Sequence, residues 1–167
     1  MKMNLLKTAL TLFAGQWVIN QIYNEAEKAF VTQRAYEYAH QRGKPVLDFG
    51  CGILPRGHYN VDIVPRQAKN FIKIQAFDKP KLPFPDKMFA SALCYHVLEH
   101  CGNPKWALEE LARVAEKVYV ITPHPFWWRT WLHGGHKWIF IDGVYFRNPL
   151  HRTYQELNDI PILYPEE

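Results

Sequence analysis

Residues 46–52 read Val46-Leu47-Asp48-Phe49-Gly50-Cys51-Gly52, a short apolar segment that ends in two glycines around a cysteine. The first four residues predict a buried β-strand, because they are apolar apart from one acid and follow Gly43 and Pro45, which stop a helix. Glycine lets the backbone turn sharply and approach a ligand with no Cβ in the way. The segment therefore predicts a strand that ends in a turn suited to ligand binding.

More strands are predicted after this turn. They cover residues 59–65, 71–77, 88–95 and 118–122. A helix is predicted over residues 104–116, with these residues facing inward: Trp106, Ala107, Leu108, Leu111 and Val114. Strands that alternate with helical or loop crossovers imply a parallel sheet. We therefore expect an α/β fold with a mostly parallel sheet of at least five strands.

The N-terminal part of the chain has a different pattern. Residues 4–40 contain no proline and carry apolar residues at helical spacing, which predicts one long or two shorter amphipathic helices with Leu6, Leu10, Phe13 and Trp17 on one face. We predict an N-terminal amphipathic helical extension over residues 1–44 and an α/β domain over residues 45–167. The apolar face could pack on the protein's own core, on a protein partner or on a membrane surface.

Size and composition limit the classes of protein to consider. The chain has 167 residues, of which 48% are apolar and 22% charged, as expected for one globular domain and not for a disordered chain. The net charge of +4 is too small to indicate a nucleic-acid-binding protein. Three cysteines at irregular spacing argue against a disulfide framework. We therefore expect a cytoplasmic protein, with peripheral attachment to a membrane left open.

The last third of the chain is rich in aromatic and basic residues. Three interpretations are open for residues 126–154: a lid over a substrate pocket, a docking surface for RNA, lipid or protein, or a set of tryptophans that fill the core. Large aromatic side chains are usually buried, which favours the third interpretation. Binding of nucleic acid has only weak support from this pattern.

Acidic residues follow two of the predicted strands. Asp62 and Asp78 fall at strand ends, and ligands of open parallel sheets bind beyond the carboxyl ends of the strands. A carboxylate at such a position can accept hydrogen bonds from both hydroxyls of a ribose. Together with the glycine turn, these acids favour a ligand that contains a nucleoside.

Five blocks in this order resemble the class I S-adenosylmethionine-dependent methyltransferases. They are Val46 to Gly52, Gly57 to Asp62, Asp78 to Asp86, His96 to His100 and Leu108 to Val114. The chain is most similar to a small branch of that family in which an Asn-Val-Asp strand follows the glycine turn almost at once. The resemblance implies a Rossmann-like, mostly parallel sheet, truncated at its C-terminal end, and S-adenosylmethionine as cofactor.

The resemblance also implies which residues form the site. Tyr95 and His96 would line the pocket where the methyl group leaves, and His96 would be the catalytic base for a hydroxyl or amine acceptor. The cofactor-binding residues implied are Asp48, Gly50, Cys51, Gly52, Asp62, Ile63, Phe77, Asp78 and Tyr95. The methyl acceptor, whether a small molecule or a macromolecule, is not identified.

Two other interpretations are considered. The chain could be a catalytically inactive methyltransferase-like module that serves as an accessory subunit of a larger, membrane-associated or soluble assembly; the sequence favours the enzyme. Residues 96–100 also spell H-x-x-E-H, a zinc-protease pattern. No third ligand is identifiable in the sequence, so we predict no metal site.

Overall fold

The structure is a computed structural model that describes residues 2–77, 81–141 and 144–148. Its elements in chain order are α1 (Lys2–Arg42), β1 (Val46–Phe49), β2 (Tyr59–Asp62), β3 (Phe71–Lys73), β4 (Phe89–Tyr95), a 3-10 turn (Leu98–His100), α2 (Pro104–Val114), β5 (Ala115–Ile121), α3 (Trp128–Leu132), β6 (Trp138–Ile141) and β7 (Val144–Arg147).

Strands β1 to β5 form one parallel sheet in the order β3-β2-β1-β4-β5. This confirms the predicted α/β fold with a Rossmann-like, mostly parallel sheet. The strand order reverses at β1, since the chain moves from β1 towards β3 and then returns to β4 on the other side. In such sheets the ligand crevice lies at this reversal, beyond the carboxyl ends of β1 and β4.

The chain divides into two compact units, residues 1–34 and 35–167, within the single helix α1. In the second unit, Ala35 and Ala39 are buried, and the Ser91 hydroxyl of β4 donates a 3.0 Å hydrogen bond to the carbonyl of Ala35. The last two turns of α1 therefore cover the sheet. The division of the chain at residues 44 and 45 stays a prediction.

The first unit is helical and exposes large apolar side chains. Trp17, Ile19, Ile22 and Phe30 are each about half or more exposed. Leu6, Leu10 and Phe13 belong to a part of α1 whose side chains lie outside the described residues, so the predicted face is described only at Trp17. Among the described helices, none has an apolar stretch long enough to cross a bilayer.

The opposite face of the sheet packs against α2. Leu47 and Phe49 of β1 lie in the core cluster with Ala107 and Leu111 of α2, all fully buried. Asn103 caps α2, since its side chain accepts a hydrogen bond from the backbone N–H of Lys105. The core positions predicted for this helix hold except at Trp106, which is 37% exposed.

A short loop without a helix joins β1 to β2. It returns close to β1: a Cβ on Gly57 would lie 2.7 Å from the backbone nitrogen of Asp48 and 2.4 Å from the carbonyl oxygen of Tyr59. Only glycine fits there, because both neighbours are backbone atoms. The loop connects β1 to β2 in nine residues, 50–58, which agrees with the short distance in sequence between the glycine turn and the Asn-Val-Asp strand.

Strands β6 and β7 pair antiparallel in a separate hairpin. Trp138 is buried and its indole N–H donates a 2.8 Å hydrogen bond to the carbonyl of Cys101, so this tryptophan fills the core as the third interpretation expects. Phe126 and Trp128 are instead exposed, at 88% and 42%. Among the described residues, no strand after β5 joins the parallel sheet. The truncation of the sheet at its C-terminal end stays a prediction.

Candidate functional site

The glycine turn lies at the carboxyl end of β1. Gly50 and Gly52 have φ values of +76° and +58°, which residues with a side chain rarely adopt. The backbone N–H groups of Gly50 and Cys51 both donate to the carbonyl of Val61 in β2, at 2.8 and 3.1 Å. The turn is therefore held closely against the neighbouring strand.

The two glycines face different surroundings. A Cβ on Gly50 would lie 2.2 Å from Cγ2 of Val97, so the chain after β4 packs directly against this residue. A Cβ on Gly52 would meet nothing within 4 Å. Gly52 therefore borders open space at the reversal point of the sheet.

Asp62 ends β2 beside this open space and is 5% exposed. Its Oδ2 accepts a 2.9 Å hydrogen bond from the N–H of Gly52, and its Oδ1 accepts one from the N–H of Val64 at 3.0 Å. The carboxylate is thus turned towards the glycine turn. Each oxygen of an ionised carboxylate has two lone pairs, so acceptor capacity is left for a ligand.

Asp48 has a structural partner. Its Oδ2 accepts a 2.7 Å hydrogen bond from the N–H of Arg56, and the side chain is 3% exposed. The carbonyl of Arg56 in turn accepts a hydrogen bond from the Tyr36 hydroxyl at 2.7 Å. Asp48 therefore fixes the β1–β2 loop from inside the protein.

Cys51 is a protonated thiol at neutral pH. Burial first, and then the charges of Asp48 and Asp62, raise its pKa from 9.0 to about 11. A thiol is a poor nucleophile compared with a thiolate. Cys51 therefore lines the turn without contributing nucleophilic chemistry.

Tyr95 is the last residue of β4 and His96 follows it, next to the glycine turn, since Phe49 of β1 is the Cα partner of Cys94. His96 has φ +56°, a left-handed backbone that is uncommon for a residue with a side chain. Its Nδ1 lies 3.6 Å from Oε1 of Glu99, which is 1% exposed. Backbone conformations of this kind cluster at functional sites, where the surrounding structure holds them in place.

The remaining predicted residues lie as follows. Ile63 is 38% exposed beside Asp62. Phe77 packs edge-on against Phe49, with ring centroids 5.1 Å apart, so it contributes to the core beneath the turn. Asp78 lies outside the described residues.

Two residues near the turn were missed by the sequence analysis. Val97 closes the space over Gly50, and Arg66 places its Nε 3.5 Å from Oδ2 of Asp62. The Arg66 Nε is buried and has no hydrogen-bond partner in the described part of the chain. Arg66 lies four residues after Asp62, a spacing that brings side chains together on a helix. No helix is predicted there, so the sequence did not indicate the contact.

Comparison with known proteins gives one match. Residues 47–118 match a family model described as a methyltransferase domain. No curated protein and no solved structure matches the chain. The match covers β1 to the middle of β5, including the glycine turn, Asp62 and His96. Over these residues the chain is therefore similar to methyltransferase domains, and its parallel sheet is consistent with that similarity.

Proposed function

We propose that this protein is an S-adenosylmethionine-dependent methyltransferase of the small branch with a short glycine-turn connection. The observation that carries the proposal is the open space beside Gly52, bordered by the Asp62 carboxylate, at the point where the strand order reverses. A nucleoside ligand of a parallel sheet binds at such a point. The buried Nε of Arg66, which forms an ion pair with Asp62 but has no hydrogen-bond partner among the described residues, supplies a further donor at the same edge.

Each residue of this edge has a role in holding the cofactor. The free lone pairs of Asp62 accept hydrogen bonds from the ribose hydroxyls. Gly52 lets the ligand approach the backbone, which a Cβ would prevent. Ile63 and Ile53, exposed at 38% and 81%, offer apolar surface that a bound adenine would cover.

The chemistry requires little from the side chains. When bound, S-adenosylmethionine would supply a methyl group on a sulfonium: in-line attack by the acceptor would break the S–CH3 bond, and S-adenosylhomocysteine would leave as a neutral thioether. The protein contributes mainly by positioning the two partners and by excluding water. For a hydroxyl or amine acceptor, His96 takes the proton that the acceptor loses, and the buried Glu99 carboxylate 3.6 Å away stabilises the imidazolium that results.

The second candidate is an inactive methyltransferase-like module that acts as an accessory subunit. Two observations favour it: both oxygens of Asp62 already accept backbone hydrogen bonds, and the first unit exposes apolar side chains along α1. Under this hypothesis the helix docks on a protein partner or a membrane surface. The two candidates differ in whether the chain binds the cofactor.

Calorimetric titration with S-adenosylhomocysteine tests the proposal. The wild-type chain should bind with micromolar affinity, and Gly52→Asn should weaken binding at least about tenfold, or by roughly 1.4 kcal/mol. Asparagine tolerates left-handed backbone, so the substitution fills the open space with little added strain.

Gly43→Asn is the matched control. Gly43 also has a positive φ, +61°, with no atom within 4 Å of its Cβ position. It precedes β1, so it lies at the amino end of that strand, away from the proposed site. Gly43→Asn should leave the affinity for S-adenosylhomocysteine unchanged. A wild-type chain that gives no heat contradicts the enzyme and supports the accessory subunit; equal affinity for wild type and Gly52→Asn contradicts the assigned site.

A further inference from the structure

Three histidines from separate parts of the second unit come together beside the 3-10 turn. Each of His100, His133 and His136 offers one ring nitrogen, and these atoms all lie within 4.8 Å of one another. The closest rings, His133 and His136, have centroids 4.4 Å apart. His100 belongs to the 3-10 turn, whereas the other two lie between α3 and β6.

Backbone carbonyls orient two of the three rings. Nδ1 of His136 lies 3.0 Å from the carbonyl oxygen of Thr130, and Nδ1 of His100 lies 2.9 Å from that of Gly135. A carbonyl only accepts, so these Nδ1 atoms carry the proton and donate it. The lone pair of each ring is therefore on Nε2, the arrangement that second-sphere hydrogen bonds give to metal-binding histidines.

The third ring is the adjustable one. His133 is exposed, and its Nδ1 accepts a 3.2 Å hydrogen bond from the N–H of Gly135. A Cβ on Gly135 would lie 3.2 Å from Nδ1 of His100 and 3.3 Å from Cε1 of His133, so glycine lets the backbone pass between the two rings. His133 can reorient, because its side chain lies at the surface.

A buried carboxylate without a hydrogen-bond partner among the described residues lies next to the cluster. Glu99 is 1% exposed, and neither of its oxygens has a hydrogen-bond partner among the described residues. Its Oε1 lies 3.9 Å from Nε2 of His100. A buried charge without a partner is costly, so the surroundings of Glu99 favour a cation on the side of the histidines.

We propose that His100, His133 and His136 bind one divalent transition-metal ion, Zn²⁺ being the best match, with Glu99 as the neighbouring negative charge. Imidazole suits Zn²⁺, and three histidines with a fourth position open to solvent is an established zinc arrangement. Zn–N bonds of about 2.0–2.1 Å at tetrahedral angles place the nitrogens about 3.3 Å apart. The rings must therefore close in slightly, and the exposed His133 provides that movement.

Burial lowers the pKa of His136, which favours the neutral form of the ring that binds a metal. The site differs from the H-x-x-E-H pattern of the sequence, because His96 is not a member and the missing ligands come from more than 30 residues further along the chain. It does not depend on the proposed cofactor site.

Metal content of the full chain tests this site. The protein is treated with a chelator, loaded with Zn²⁺, desalted and analysed for bound metal, and the affinity is measured by competition with a chromogenic chelator. We expect one Zn²⁺ per chain. Replacing zinc by Co²⁺ should give the visible absorption of a tetrahedral cobalt site.

His133→Ala should weaken Zn²⁺ binding by more than about 100-fold, since losing a ligand costs at least as much as losing a second-sphere partner. This side chain is exposed, so the variant should fold even if His136→Ala does not. His40→Ala, an exposed histidine on α1, is the control and should bind like wild type. Failure of the wild-type chain to retain stoichiometric zinc, or equal affinity for His133→Ala, overturns the proposal.

Discussion

Gly50 and Gly52 belong to one turn but face different constraints on a side chain. Both adopt left-handed backbone, but only Gly50 is in contact with a side chain where its Cβ would be, that of Val97. Packing excludes a side chain at Gly50, whereas at Gly52 only the left-handed backbone disfavours one. A sequence pattern of two glycines does not distinguish these cases, because the contact comes from a residue 47 positions later.

Gly50→Ala should therefore destabilise the protein far more than Gly52→Ala. The left-handed backbone costs about 1–2 kcal/mol in both variants. Overpacking against Val97 adds about 1–3 kcal/mol to Gly50→Ala alone. Urea unfolding of the two variants and the wild type measures the difference, and equal free energies of unfolding would contradict the packing argument.

The attachment of β2 illustrates how a strand is held without a crossover helix. Asn60 is 1% exposed; its Oδ1 accepts from the N–H of Gly57 at 3.1 Å, and its Nδ2 donates to the carbonyls of Gly57 and Lys69. One side chain thus joins the loop before β2 to the segment before β3. This explains the Asn of the Asn-Val-Asp strand as a structural residue.

Asn60→Ala should lower the free energy of unfolding by about 2–4 kcal/mol, because it leaves buried backbone groups without partners. Asn70→Gly is the comparison: Asn70 is exposed with φ +47°, and its side chain donates one hydrogen bond to the carbonyl of His58. Glycine keeps that backbone, so the cost should stay below about 1 kcal/mol. Chemical unfolding of both variants measures this difference, and equal losses of stability would contradict the structural role of Asn60.

The sequence predicts elements well where local pattern and packing agree. Strand β1 has the predicted bounds, 46–49, because its apolar run ends in glycine. Strand β5 begins at Ala115, three residues before its predicted start, because pairing with β4 and ion pairs of Glu116 compensate for its polar residues. Trp106 was predicted inside and is partly exposed, since helical period alone does not fix where a covered face ends.

Sequence pattern also brings together part of the candidate site. The glycine turn and Asp62 come from one continuous stretch, and the structure joins them by a hydrogen bond. The histidine cluster was not predictable, because its members meet only when the chain after α3 folds back on the 3-10 turn. The backbone N–H of Lys137 donates a 2.7 Å hydrogen bond to the carbonyl of Glu99 at that place, a pairing without any local signal.

Across the whole second unit, Glu116 connects segments that are more than 70 residues apart. Its carboxylate accepts hydrogen bonds from Arg42 at 2.7 Å, from Lys44 and from the Tyr38 hydroxyl at 3.1 Å. The end of α1 and the chain entering β1 are thereby tied to β5 at the edge of the sheet. These contacts therefore link the chain before β1, the first strand in sequence, to β5, the last strand of the parallel sheet.

Glu116 should make the stability of the protein depend on acid pH. Hydrogen bonds from Arg42 and then Lys44 lower the pKa of Glu116 from 4.5 to about 2. A carboxyl group whose pKa is lower in the folded state stabilises the protein fully above pH 4.5, and this stabilisation is lost as the pH falls from 4.5 towards 2. Glu116→Gln should thus be less stable than wild type at pH 7, and the difference should shrink as the pH falls. Urea unfolding at several pH values, with Glu109→Gln as an exposed control, measures this; a difference independent of pH would show that Glu116 acts through packing instead of charge.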